Sequence, residues 1–96
     1  MRRLLWTRRA RADLASIRAF IGEGSPHYAA LVIGRIISVT ENLIEYPEFG
    51  RRVPEIMRSD VREIVHKPYR IVYRIVSPEE IHIVTVHHAA MGTPNI

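Results

Sequence analysis

Arg62, Arg70 and Arg74, with Lys67 between them, are the residues of this sequence best placed to meet an anion. They crowd into one short stretch whose spacing reads as two strands broken at Lys67-Pro68. Guanidinium groups bind phosphate or carboxylate through paired N–H bonds. Three of them on one sheet segment are costly if buried and useful if an anion is the target. The plain alternative is a solvated sheet face, with Arg70 and Arg74 stapled to Glu63 or Glu80 and Arg62 paired with Glu63 across strands. His87 and His88 are the other candidates, and adjacent strand residues point to opposite faces. One imidazole is then expected to be buried and hydrogen-bonded. The two make a poor metal pair, and no metal is expected. The chain has no cysteine, hence no thiolate nucleophile and no disulfide, and its serines lack a His-Asp pattern. No cofactor is expected.

These side chains need a scaffold. In the run after Pro68, Tyr69, Ile71, Tyr73 and Ile75 share one parity while Arg70, Val72, Arg74 and Val76 share the other. That is the period of a strand, with the first set facing a core. Val61 to His66 forms the preceding strand, and Ile81, Ile83 and Thr85 alternate with His82, Val84 and Val86 in the last one. Ser77-Pro78-Glu79-Glu80 reads as the hairpin loop between them. Pro54 argues against a central strand over Arg51 to Met57.

The first half is helical. Arg3 to Trp6 reads as a short strand, Thr7 as an N-cap, and Ala10, Leu14, Ile17 and Ile21 as one helical stripe over residues 8–22. Gly22-Glu23-Gly24 ends it, and Ser25-Pro26 opens a second helix over residues 25–46, with Ser as cap and Pro at the first helical position. Ala29, Ile33, Ile36, Thr40, Leu43 and Ile44 mark its apolar face, and Pro47 stops it. Trp6, Tyr28, Tyr46 and Tyr73 are expected in or beside the core. The order is β-α-α-β-β-β, an α+β domain in which a helical hairpin packs on an antiparallel sheet.

Length and composition fit one domain over residues 1–96, with 88–96 as an irregular tail. Thirteen arginines and one lysine face ten acidic residues, a net charge of +4 that suits a polyanionic partner, either nucleic acid or an acidic protein. No apolar run has the length of a membrane helix or a signal peptide, so no membrane partner is expected and the cytoplasm is the expected compartment.

Taken in order, Trp6-Thr7 with Ala10, Asp13-Leu14 and Ile17, then Ser25-Pro26, Leu43 with Pro47, Gly50-Arg51, Pro54-Glu55, Arg62-Glu63, Tyr69-Arg70-Ile71-Val72-Tyr73-Arg74 and Val86-His87-His88 resemble the RelE/ParE superfamily of bacterial type II toxins. The resemblance covers residues 3 to 90. It implies a growth-inhibiting toxin held by a cognate acidic antitoxin, which contacts operator DNA only through that antitoxin. It also implies one of two targets: DNA gyrase, poisoned without known catalytic residues, or mRNA cut on the ribosome. Cleavage needs a base at the 2′-hydroxyl, cations on the phosphate and an acid for the leaving oxygen. If the chain is such a nuclease, the resemblance assigns Arg62, Arg70 and His88 to catalysis, with Arg74, His87 and Lys67 as binding residues. Cleaving members carry an arginine, a tyrosine or both just after the last strand, and this chain has Ala89-Ala90-Met91-Gly92. That departure favours the gyrase branch and leaves open whether the chain is an enzyme. A basic nucleic-acid-binding module without toxicity, or a decayed toxin, is the remaining alternative.

Overall fold

The computed structural model describes residues 1–88. The elements are β1 (Arg3–Trp6), α1 (Arg8–Gly24), α2 (Pro26–Glu45), β2 (Arg51–Arg52), β3 (Val61–His66), β4 (Tyr69–Ser77) and β5 (Glu80–His88). Five strands form one sheet in the order β1-β5-β4-β3-β2. β1 runs parallel to β5 and the other neighbours are antiparallel. The expected α+β architecture is therefore present, with two additions: a two-residue β2 and a parallel edge strand. His88 closes β5, and the expected tail beyond it lies outside the described residues.

Local chemistry sets the helix ends. Thr7 Oγ1 accepts from Ala10 N at 3.1 Å and caps α1. Ser25 Oγ accepts from Tyr28 N at 3.1 Å and caps α2, with Pro26 at its first position. Ser25 alone separates the helices, and Gly22 to Gly24 stay helical instead of ending α1 early. With Ser25 N donating to Ile21 O, the last turn of α1 is satisfied through Gly24.

The helices cover one face of the sheet. Ala10, Val32, Ile36 and Leu43 meet Ile64, Tyr69, Ile71, Tyr73, Ile81, Ile83 and Val86 in the main core. Two details differ from a simple parity reading. Val32 is buried where Ile33 was expected, and Tyr28 and Tyr46 stand 52% and 59% exposed, whereas Tyr73 is fully buried. On the other face of β4, Val72 is also buried, against Val53 and Val61, with Ile56 packed alongside. The segment after β2 folds back over that face, so the opposite side of the sheet is partly roofed.

β5 carries the irregularity that matters most. Val72 pairs with Thr85 and Tyr73 with Ile83, leaving Val84 as an extra residue. Such a bulge re-aims the residues that follow it. Thr7 Oγ1 donates to Val84 O at 2.9 Å, and Asp13 Oδ2 accepts from Val86 N at 3.0 Å and from Thr85 Oγ1. α1 is thus fastened to the bulge by polar contacts at two successive turns.

Candidate functional site

The side of the sheet away from the helices holds a chain of ion pairs. Arg51 stands opposite Glu63 in register, and Glu63 lies diagonally from Arg70 across β3 and β4. Arg51 Nε donates to Glu63 Oε2 at 2.8 Å, and Arg70 Nε donates to Oε1 at 2.6 Å. The Glu63 side chain is 0% exposed, so both its oxygens are satisfied by guanidinium groups alone. Arg70 Nη1 and Nη2 donate to the two oxygens of Glu55 at 2.9 and 2.8 Å. Three of the five N–H donors of Arg70 are therefore occupied by two carboxylates. Hydrogen bonds donated to Glu55 and then to Glu63 raise the Arg70 pKa still further above its ordinary value. Hydrogen bonding from Arg70 in turn holds the Glu55 carboxyl down at about 2.

Arg74 is committed as well. Its Nε donates to Asp60 Oδ2 at 3.1 Å, and Arg58 grips the same carboxylate with bonds of 3.1 and 2.7 Å. The partner is thus Asp60, neither Glu63 nor Glu80. Glu80 instead takes Arg3 at 2.6 Å and His82 Nε2 at 2.9 Å.

Arg62 belongs to the other face. It stands opposite Tyr73, a residue of the helix-covered core, while Arg70 and Arg74 take the alternate parity. Three arginines on one surface is therefore corrected to two on one face and one on the other. Arg62 Nη1 donates to Gly50 O at 2.9 Å, and its Nη2 lies 3.8 Å from Glu48. Beside it Tyr73 OH donates to Pro47 O at 2.7 Å and accepts from Gly50 N at 2.9 Å. Arg62 and Tyr73 together pin the turn that follows α2. The Arg62 Nε is buried without a hydrogen-bond partner among the described residues.

The histidines are divided in the same way. His87 is in register with Arg70, and His88 with Tyr69. The His88 ring meets Tyr69 edge-on, with centroids 5.6 Å apart and planes at 89°. Both histidines are half-buried, whereas one was expected to be buried and hydrogen-bonded. Lys67 is exposed in the tight β3–β4 turn and lines a shallow open groove with Phe49, Gly50, Arg51 and Val65. Arg62, Arg70 and His88 thus do not converge: Arg62 and His88 share a face but sit at opposite ends of it, and Arg70 lies behind them.

The family model for the ParE toxin of type II toxin–antitoxin systems, parDE, matches residues 4–92. This chain belongs to that family. It is 38% identical over 90 residues to Toxin RelE2 of Caulobacter vibrioides, covering 94% of this chain and 98% of that protein. The toxin fold also matches a chain of the chromosomal ParDE system from P. aeruginosa, with a TM-score of 0.74, 25% identity, and coverage of 92% and 96% of the two chains. The chain is a type II toxin–antitoxin toxin, and family membership implies an antitoxin as partner. No helix among the described residues is long and apolar enough to cross a membrane.

In this ParE-family toxin, Glu63 is the partner of Arg70 that the arginine pattern pointed to, while two other acids of the charged face are ones it did not. Glu55 and Asp60 come from the irregular segment between β2 and β3, and they reach Arg70 and Arg74 only because that segment folds over Val72. Pro54-Glu55 and Asp13 were visible as parts of the family pattern, but no local signal tells which distant strand they meet.

Proposed function

We propose that this toxin arrests growth by poisoning DNA gyrase through a contact surface, without catalytic residues of its own. The observation that carries the reading is the state of Arg70. An arginine that steadies a scissile phosphate needs donors aimed at an open site. Here the side chain is 11% exposed and its guanidinium is held by Glu55 and Glu63. To serve a phosphate it must exchange a bidentate carboxylate, a strong charge-assisted pair, for the substrate. Arg62 is spent on the backbone of the turn at Gly50. An acidic antitoxin from the adjacent reading frame is the proposed neutralising partner, and operator DNA is reached through it. The proposed compartment is the cytoplasm, where the target works.

One observation favours the second reading, an mRNA endonuclease acting on the ribosome. His87 and Arg70 stand side by side on one face, a proton carrier beside a cation. In that case His87, rather than His88, is the histidine placed to act with Arg70.

Induced expression with and without the antitoxin separates the readings. The proposal expects gyrase-dependent DNA cleavage complexes and the DNA-damage response, with mRNA intact. Cleavage of mRNA at the ribosomal A site, abolished by Arg70→Ala in a variant shown to be folded, overturns it in favour of the nuclease. Arrest that spreads over many small losses in an alanine scan supports a contact surface.

A further inference from the structure

The arginines of the sheet face are neutralised where they stand, and Arg8, Arg11 and Arg18 of α1 are not. Arg8, Arg11, Ala15 and Arg18 follow one another at steps of three, four and three residues, which places them in one stripe along the helix. All four are exposed. None of the three arginines makes an ion pair with a described residue. The first turn of α1 contains no acid. Asp13 is turned inward to β5, and Glu23 lies at the far end of the helix. From Arg8 to Arg18 the stripe is about 15 Å long, at about 1.5 Å per residue.

We propose that this stripe binds the phosphodiester backbone of duplex DNA directly. Leu14, which flanks Arg11 and Arg18, is turned half-buried to the core, and the exposed uncharged residues between and beside the arginines are Ala12, Ala15, Ser16 and Ala19. Such small side chains let the helix approach a charged backbone closely. They also supply none of the aromatic or large apolar anchors on which protein interfaces depend. The exposed bulky side chains of the helical pair, Phe20, Tyr28, Leu31 and Ile37, stand beyond the stripe, at the end of α1 and on α2. Polyanion binding and protein docking thus fall on separate parts of the surface. Thr7 and Asp13 hold α1 to the bulge of β5, so the stripe is presented on a rigid element. The choice of duplex DNA over RNA rests on the gyrase reading, because gyrase holds its own DNA duplex and a toxin docked there meets that backbone.

The test is fluorescence anisotropy with the full chain, free of antitoxin, and a labelled DNA duplex of mixed sequence, titrated across a salt series. An RNA duplex of equal length and the purified antitoxin are the parallel arms. Three phosphate contacts give a log–log salt slope of about −2.7, or about a 40-fold loss of affinity between roughly 50 and 200 mM salt. Each of Arg8→Ala, Arg11→Ala and Arg18→Ala is expected to reduce that slope by about 1, and the triple variant to abolish binding. Arg→Lys at the same positions should retain most of it, and circular dichroism should be unchanged. Absence of DNA binding at about 50 mM salt, unaltered binding by the triple variant, or tighter binding of the RNA duplex overturns the proposal. Loss of antitoxin binding by the triple variant with DNA binding intact assigns the stripe to the antitoxin and also overturns it. A gyrase cleavage assay run alongside keeps the two ideas apart. Poisoning without DNA binding sinks the stripe and leaves the gyrase reading, while DNA binding without poisoning does the reverse.

Discussion

His87, and not His88, lies across the β4–β5 ladder from Arg70. Strict alternation from Ile81 and Ile83 would send His87 to the helix-covered face and His88 to the face of Arg70. The extra residue at Val84 reverses that assignment, so Val86 enters the main core and His88 follows it to Tyr69. One bulge therefore decides which imidazole lies on the charged face.

Asp13 should matter to this arrangement more than a helix-surface carboxylate normally does. It takes the amide of Val86 and the hydroxyl of Thr85 just after the bulge. Asp13→Ala leaves both buried donors unpaired, at about 1–3 kcal/mol each. The expected result is a marked fall in the urea midpoint, and loss of protection at the Val86 amide in hydrogen exchange. Protection equal to that of wild type would show that the bulge stands without Asp13.

Glu63 is expected to be the most sensitive acid on the sheet. Removing it leaves Arg70 Nε–H without its acceptor, while Arg70 keeps Glu55 and Arg51, 60% exposed, turns to solvent. Glu63→Ala should cost about 1–3 kcal/mol, the range for a buried donor left unpaired. Arg70→Ala should also destabilise, because it leaves the enclosed Glu63 carboxylate with Arg51 alone. Arg74→Ala, at a pair exposed on both sides, should change stability by less than about 1 kcal/mol. Equilibrium urea unfolding ranks the three. Arg70 carries more structural weight than a solvated strand arginine, so growth assays on its variants need a parallel measure of folded protein.

Gly50 and Tyr73 form a tight joint. A Cβ at position 50 would meet Glu63 O at 2.5 Å and the Tyr73 hydroxyl at 2.8 Å. Gly50→Ala must therefore push the turn away from β3 and β4, breaking the Tyr73 and Arg62 bonds that pin it. Tyr73→Phe removes only the hydroxyl, at about 1–3 kcal/mol for the buried groups left unpaired. Thermal unfolding should show Gly50→Ala as the more damaging change. Near-neutrality of Gly50→Ala would contradict the packing.

Acid sensitivity should be traceable to Glu55. Its pKa is lowered from 4.5 to about 2, first by hydrogen bonding from Arg70. A carboxylate with a depressed folded pKa binds fewer protons in the native state, so its contribution is complete above the unfolded value and is lost as pH falls. Stability should decline between about pH 4.5 and about pH 2, with Asp60, lowered by Arg58 and Arg74, acting in the same direction. Glu55→Gln should flatten that decline in a series of urea midpoints. An unchanged acid limb would mean the Glu55–Arg70 pair is not formed in solution.

The sequence by itself determined every element but the two-residue β2, and their order. The caps at Thr7 and Ser25, Pro26 at a helix start and the alternation of Tyr69, Ile71, Tyr73 and Ile75 are local signals. They act through backbone geometry and nearest neighbours, so they can be read without knowing what lies across the fold. The family pattern was legible for the same reason, because it consists of such signals in a set order. Only the tertiary structure decided the fate of the charges. Which face Arg62 takes relative to Arg70 follows from strand register, and which histidine joins Arg70 follows from a one-residue bulge. That Arg70 and Arg74 meet Glu55 and Asp60 follows from a segment folding over Val72. Electrostatic partners are fixed by distance in space, and a single-residue slip in a strand exchanges its faces. No spacing along the chain carries that information.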